Sequence, residues 1–273
     1  MKPFCFADGQ LIPTEKATIH PMDLGLIRGY GIFDFFRTVN FKPLFLESYL
    51  ERFVASAEKT FLPLDISTAE LNAVIQDLIE KNYLKEGGIR MILSGGVSQN
   101  HFSPAKGKLF IFAESLIFPE ESKYQNGIKL LTLEYVRPVA EIKTTNYAYP
   151  VWDSIRWKQE GAEDVLYHYN GYVSESSRSN FFIVKDGVIS TPDKHILKGI
   201  TRKNVMQLAG DVQVRPISLE ETLQADEAFI TSTTKILLPV TQVDNHTIGN
   251  GKPGPVSLGI LEKFRALEKE VSY

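Results

Sequence analysis

Cysteine is almost absent: Cys5 is the only one among 273 residues. No intrachain disulfide can form, and no cysteine cluster can hold a metal. No Lys- or Arg-rich run stands out and the net charge is −3, so the footprint of a nucleic-acid-binding protein is missing. A locally positive pocket remains compatible with that charge. No apolar stretch approaches the length of a membrane span. The opening MKPFCFADGQ has no charged-then-apolar leader pattern, and a reducing cytoplasm is the expected location. Internal repeats and low-complexity segments are also lacking. What is present, 43% hydrophobic and 23% charged residues, is a globular composition, sufficient for one large domain or two modest ones.

Three dipeptides predict tight hairpins, because Asn, Asp and Gly tolerate the positive φ that such turns require. Asp8-Gly9 separates Phe4–Ala7 from Gln10–Ile12, Asn170-Gly171 separates Asp164–Tyr169 from Tyr172–Ser174, and Asp186-Gly187 separates Phe181–Lys185 from Val188–Ser190. Further strands are expected at Phe33–Val39, Lys42–Phe45, Ile89–Leu93, Leu109–Ala113, Ile128–Leu133, Val212–Arg215 and Glu227–Thr231. Ser67-Thr68-Ala69-Glu70 is a capping box ahead of Leu71, Val74, Ile75, Leu78 and Ile79, which share one helical face. Ser218–Glu221 is a second, shorter box. Helices are also expected over Leu46–Thr60, over Asn146–Gln159 starting after Pro150, and over Val256–Lys269 behind the breaker run Gly249–Pro255. The mixture is α/β in the α+β sense, and its hairpins exclude a purely parallel sheet. The polar, proline-bearing stretch Phe118–Tyr124 predicts a linker over 118–124, between a small N-terminal domain (1–117) and a larger C-terminal one (125–273).

Several segments carry groups able to do chemistry. Thr231-Ser232-Thr233-Thr234 follows the apolar Ala228–Ile230, and Gly199-Ile200-Thr201-Arg202 opens a helix. Hydroxyls and free N–H groups at a strand end and a helix start suit a phosphate, although a capping Thr in a polar loop is the commoner meaning of either alone. Arg52 offers a guanidinium for bidentate phosphate contact. Glu175, in a Ser-rich loop, offers a carboxylate able to keep a heterocyclic nitrogen protonated. Lys143 offers an amine able to form a Schiff base. Taken singly, a solvated Arg, an exposed Glu and a surface Lys are the ordinary readings of all three.

Taken together, RGYGIFDFFRT, LESYLERF, EIKTTNYAYP, VSESSRSNFF, LKGITRKNV and FITSTTKILLPV resemble, in this order and at these separations, the class IV aminotransferases. That family includes branched-chain aminotransferase, D-amino acid transaminase and aminodeoxychorismate lyase. The resemblance runs along nearly the whole chain. It implies a two-domain α/β protein of pyridoxal 5'-phosphate (PLP) fold type IV, with the cofactor between a small N-terminal and a larger C-terminal domain. It also implies a homodimer whose partner subunit completes each active site, and amino acid and 2-oxo acid substrates. By the same resemblance Lys143 matches the Schiff-base lysine and Glu175 the acidic partner of the pyridine nitrogen. Arg52, Ile200, Thr201, Ser232 and Thr233 match the phosphate cup, and Tyr147 the tyrosine that meets the cofactor's ring oxygen.

Substrate choice is less legible. Arg90 matches an arginine of branched-chain members, but the tyrosine expected two residues earlier is Gly88. The Arg-x-His pair of well-known D-amino acid transaminases is represented by Gln99-Asn100-His101, which keeps only the histidine. Ile236 stands where many relatives carry Glu. Arg28 takes a position where relatives have an aromatic residue facing the partner's site. Arg28 and Arg90 are therefore expected to clamp an α-carboxylate, with Arg28 paired to Asp23 or Asp34 as the alternative. Phe33, His101 and Thr234 complete the expected substrate contacts, and Tyr30 and Trp152 are either pocket lining or core. The expected activity is D-amino acid transamination, with branched-chain L-amino acid transamination and aminodeoxychorismate lyase as alternatives.

Overall fold

The computed structural model describes residues 1–272. It divides into two compact units, one holding Met1–Ile117 together with Ile142–Tyr147, Val271 and Ser272, the other holding Phe118–Glu141 and Ala148–Glu270.

In the first unit β1 (Phe4–Ala7) and β2 (Gln10–Pro13) turn at Asp8 and Gly9, whose φ angles are 52° and 80°. There follow α1 (Leu24–Ile27), β3 (Gly31–Val39), β4 (Lys42–Pro43), α2 (Leu46–Lys59), α3 (Thr68–Lys81), β5 (Gly87–Ser94) and β6 (Leu109–Glu114). The strands form one antiparallel sheet, ordered β2-β1-β6-β5-β3-β4. Side chains alternate across β3. Ile32, Asp34 and Phe36 point toward the helices, where Phe36 meets Tyr49 of α2 with ring centroids 5.4 Å apart. Phe33, Phe35 and Arg37 point the other way. The expected capping box forms: Ser67 Oγ accepts from Glu70 N–H, Glu70 accepts from Ser67 N–H, and Leu71, Ile75, Leu78 and Ile79 are buried.

β4 pairs only with the Thr38–Val39 end of β3. The Lys143 segment pairs with the other end. Phe33 N–H donates to Lys143 O and Thr145 N–H to Gly31 O, both at 2.9 Å, and Ile32 bridges Thr144. This pairing places residues 142–147 with the first unit, where the sequence alone put them in the C-terminal domain. The expected strand over Lys42–Phe45 is cut short because Phe45, at φ 55°, turns the chain into α2.

The second unit comprises α4 (Glu121–Asn126), β7 (Ile128–Glu134), α5 (Ala148–Gln159), β8 (Asp164–Tyr169), β9 (Tyr172–Ser176), β10 (Asn180–Lys185), β11 (Val188–Thr191), α6 (Ile200–Ala209), β12 (Val212–Val214), α7 (Leu219–Leu223), β13 (Glu227–Ser232), β14 (Ile236–Val243), β15 (His246–Thr247) and α8 (Pro255–Ser272). Its sheet runs β12-β11-β10-β13-β14-β7-β8-β9, and β9 returns to β10 through the pair Glu175–Asn180. Six strands thereby close into a ring, and Glu175 lies at the closure. The register partners Phe182 and Phe229 stack with centroids 4.8 Å apart, both fully buried.

Three expectations change here. Part of the expected linker is the helix α4. α5 begins at Ala148, before Pro150, since a first-turn proline forfeits no helical hydrogen bond. β14 was not foreseen, and it carries Pro239, a residue that central strands rarely tolerate. Its pairing with β7 starts only at Val240, after the proline.

Candidate active site

Within the first unit, the Phe33 ring carries two cations: Lys143 Nζ lies 4.5 Å from its centroid and Arg90 Cζ 5.7 Å. Tyr147 meets the same ring edge-on at 5.7 Å. Strand pairing fixes this cluster, because Lys143 O is hydrogen-bonded to Phe33 N–H and Arg90 stands opposite Phe35 on the neighbouring strand. Arg90 also stacks on Phe35 at 4.8 Å and pairs with Glu114 at 2.6 Å. Lys143, Tyr147, Phe33 and Arg90 are therefore brought together.

Arg52 is fixed from α2. Its Nε and Nη2 donate to the two oxygens of Asp34 at 2.9 and 2.7 Å. Burial works to lower the Arg52 pKa, but the charge and hydrogen bonds of Asp34 outweigh it and raise the guanidinium above its ordinary value. Asp34 thus aims the guanidinium while keeping it charged. Asp23 is engaged as well, accepting from Gly25 N–H at 2.7 Å and Ser94 Oγ at 2.8 Å. Neither acid pairs with Arg28 among the described residues; Arg28 is exposed, and its guanidinium donates to Ile27 O at 3.1 Å. The alternative partners named for Arg28 are therefore taken by other groups.

In the second unit, Glu175 is 4% exposed and carries a partner on each oxygen. Arg137 Nε donates to Oε1 at 3.1 Å, and Leu197 N–H donates to Oε2 at 2.8 Å. Arg137 also donates to Ala140 O. Leu197 begins the approach to α6, so the bond that holds Glu175 also ties it to that helix's entrance. Gly199 precedes α6, and no side chain caps the helix. A Cβ at Gly199 would fall 2.2 Å from Asn180 Oδ1 and would displace that side chain. Ile200 and Thr201 are buried with first-turn N–H groups that a helix cannot satisfy internally. On the other arm, Ser232 Oγ accepts from Lys235 N–H at 3.4 Å, in the turn joining β13 to β14. Thr233 and Thr234 lie in that same half-buried turn.

Other expected residues stand apart. The His101 backbone N–H donates to Ser98 O at 3.2 Å, and its imidazole is exposed and makes no hydrogen bond or ring contact among the described residues. Tyr30 OH donates to Thr60 O at 2.6 Å, which makes it a packing residue. Trp152 is 68% exposed on α5. Gly88 is packed against an aromatic ring: a Cβ there would lie 2.5 Å from the Phe35 ring, which occupies the space. Sequence reading missed Arg137, and it offered Asp34 to Arg28 rather than to Arg52. Both pairings are revealed only by contacts 38 and 18 residues away in the chain.

A family model described as "Amino-transferase class IV" matches residues 31–243. The chain belongs to the class IV aminotransferases. As a member it is a PLP-dependent transaminase with a two-domain fold of type IV. A protein of Methanocaldococcus jannaschii named "Putative branched-chain-amino-acid aminotransferase" is 30% identical over 95% of this chain and 94% of its own. The "D-alanine aminotransferase" of Staphylococcus haemolyticus is also 30% identical, over 95% of each chain. Among solved structures, the branched-chain amino acid aminotransferase of Escherichia coli superimposes with a TM-score of 0.91 at 27% identity, covering 98% of this chain and 95% of that one. Among the described residues no helix is long and apolar enough to cross a membrane.

Proposed function

We propose that this class IV aminotransferase moves amino groups between small D-amino acids and 2-oxo acids, as a homodimer, using PLP attached to Lys143. The donor set fits that cofactor. The uncapped, buried start of α6 offers N–H groups of Ile200 and Thr201 to a phosphate, with Ser232, Thr233 and the charged Arg52 as further contacts. Glu175, a buried carboxylate held by Arg137 and by Leu197 N–H, is the acidic partner of a protonated ring nitrogen. Tyr147 is placed by Phe33 for a ring oxygen. When bound, PLP supplies an electron sink for the charge left on Cα after proton loss.

The protein's own groups divide the remaining work. Lys143 Nζ takes the proton from the substrate's Cα. Glu175 holds the proton on the pyridine nitrogen, and Arg137 neutralises the carboxylate charge in its buried setting. Arg90, against the same Phe33 ring as Lys143, binds the α-carboxylate beside the reacting carbon.

That shared ring is the observation that carries the proposal, since it puts the amine and one carboxylate clamp on a single side chain. Arg28, free of any acidic partner among the described residues, is the second clamp, contributed by the partner subunit. It replaces the cation lost at Gln99. Transamination of branched-chain L-amino acids is the second reading, favoured by the apolar Phe35 ring in the space beside Gly88.

The test is a half-reaction followed at the visible band of the bound cofactor. Bleaching by D-alanine and D-glutamate, reduced at least tenfold in Arg28→Ala, is expected (about 1.4 kcal/mol). Bleaching by L-leucine alone selects the second reading. No bleaching, with pyruvate released from aminodeoxychorismate, would make the protein a lyase.

A further inference from the structure

The β13–β14 turn, Ser232 to Ile236, is held in an unfavourable shape. Ile236 has φ 57°, a left-handed conformation that a β-branched side chain resists. Such strain persists only where the surroundings over-determine it. The surroundings converge on one residue, Lys235. Its N–H donates to Ser232 Oγ at 3.4 Å, and its carbonyl accepts from Tyr124 OH at 3.0 Å. Its ammonium, only 7% exposed, donates to Asp164 Oδ2 at 3.3 Å and Ser179 Oγ at 3.2 Å.

Asp164 is fully buried and fixed by its other oxygen, which accepts from Val165 N–H at 2.9 Å and Ser177 N–H at 3.3 Å. Ser177 and Ser179 belong to the turn between β9 and β10, just beyond Glu175. One buried ammonium therefore links the Ser232–Ile236 turn to the arm that carries Glu175. Burying an ion pair costs desolvation, and a pair of this kind is weak support for stability alone. Fixing one geometry is the better-attested use.

We propose that Lys235, through its buried pair with Asp164, is the positioning residue that holds the Ser232–Ile236 turn in its phosphate-binding shape. The inference rests on the reading of Ser232 and Thr233 as phosphate contacts, and one set of measurements separates the two. Dissociation constants for PLP and for pyridoxal, which lacks the phosphate, are measured with thermal midpoints on four variants: Ser232→Ala, Lys235→Met, Lys235→Met/Asp164→Asn and Lys235→Met/Ile236→Gly.

The expected result is a fall of about tenfold in the preference for PLP over pyridoxal in Lys235→Met, about 1.4 kcal/mol. The fall should be partly reversed when Gly at 236 removes the strain. If the buried Asp164 prevents Lys235→Met from folding, the double variant without either charge carries the same expectation. A lower midpoint with unchanged preference would overturn the inference and leave the pair purely structural, as would failure of the charge-free double variant to fold. An unchanged preference in Ser232→Ala would overturn the phosphate reading instead, whatever Lys235 does.

Discussion

Arg137 and Glu175 show how one buried contact turns an ordinary carboxylate into a specialised one. Both side chains are 5% exposed. A carboxylate so buried without its cation takes up a proton, and a neutral acid no longer holds the proton on a pyridine nitrogen. In Arg137→Met the Lys143-linked cofactor should still be trapped by borohydride, while the rate of Cα deprotonation falls by about 10²-fold. Breaking a buried pair should also cost about 3–5 kcal/mol of stability, readable from urea midpoints. A normal deprotonation rate in a destabilised protein would reduce Arg137 to a packing role. The sequence displayed Lys143, Glu175 and Arg52 only through resemblance, since each alone passes for a surface residue. Their partners Arg137 and Asp34 carry no local signal at all. An ion pair between distant positions exists only after the strands that bear it have paired.

Secondary elements were legible wherever the signal is local. The dipeptide turns and the Ser67 capping box depend on neighbouring residues, and all formed as read. What escaped depends on tertiary contact: β14 tolerates Pro239 because its pairing with β7 begins one residue later. The start of α8 is another instance. Glu227 lies on β13, yet its two oxygens accept from Val256 N–H at 2.9 Å and Ser257 N–H at 2.8 Å. It therefore caps a helix 29 residues away, adding a negative charge where the helix dipole favours one. Gly254 is required alongside, since a Cβ there would fall 1.9 Å from the Glu227 carboxyl carbon. Glu227→Ala should cost about 2 kcal/mol. Amide exchange should accelerate first in the opening turn of α8. Uniform acceleration along the helix, or none, would mean that the cap does not hold this end.

For the assembled molecule, the question is whether one chain suffices. α5 exposes Val151, Trp152 and Ile155 at 67%, 68% and 63%, an apolar stripe suited to cover by a second copy. Arg28 is exposed without an acidic partner among the described residues, which suits a clamp acting on a neighbouring subunit's substrate. These two observations converge on one experiment. Lys143→Ala and Arg28→Ala chains are each expected to be nearly inactive toward D-alanine. If Arg28 acts across a two-fold interface, mixed dimers contain one site with both Lys143 and Arg28 intact and one with neither. Random reassortment of equal amounts should then restore about one quarter of wild-type activity. If Arg28 serves its own chain, every site in every mixture lacks one of the two groups, and mixing restores nothing. Sedimentation of each variant as a dimer is the necessary control, because a monomeric variant would also fail to complement. Recovery near one quarter, with both parents dimeric, would establish that each site draws on both subunits and would assign Arg28 to the partner's substrate.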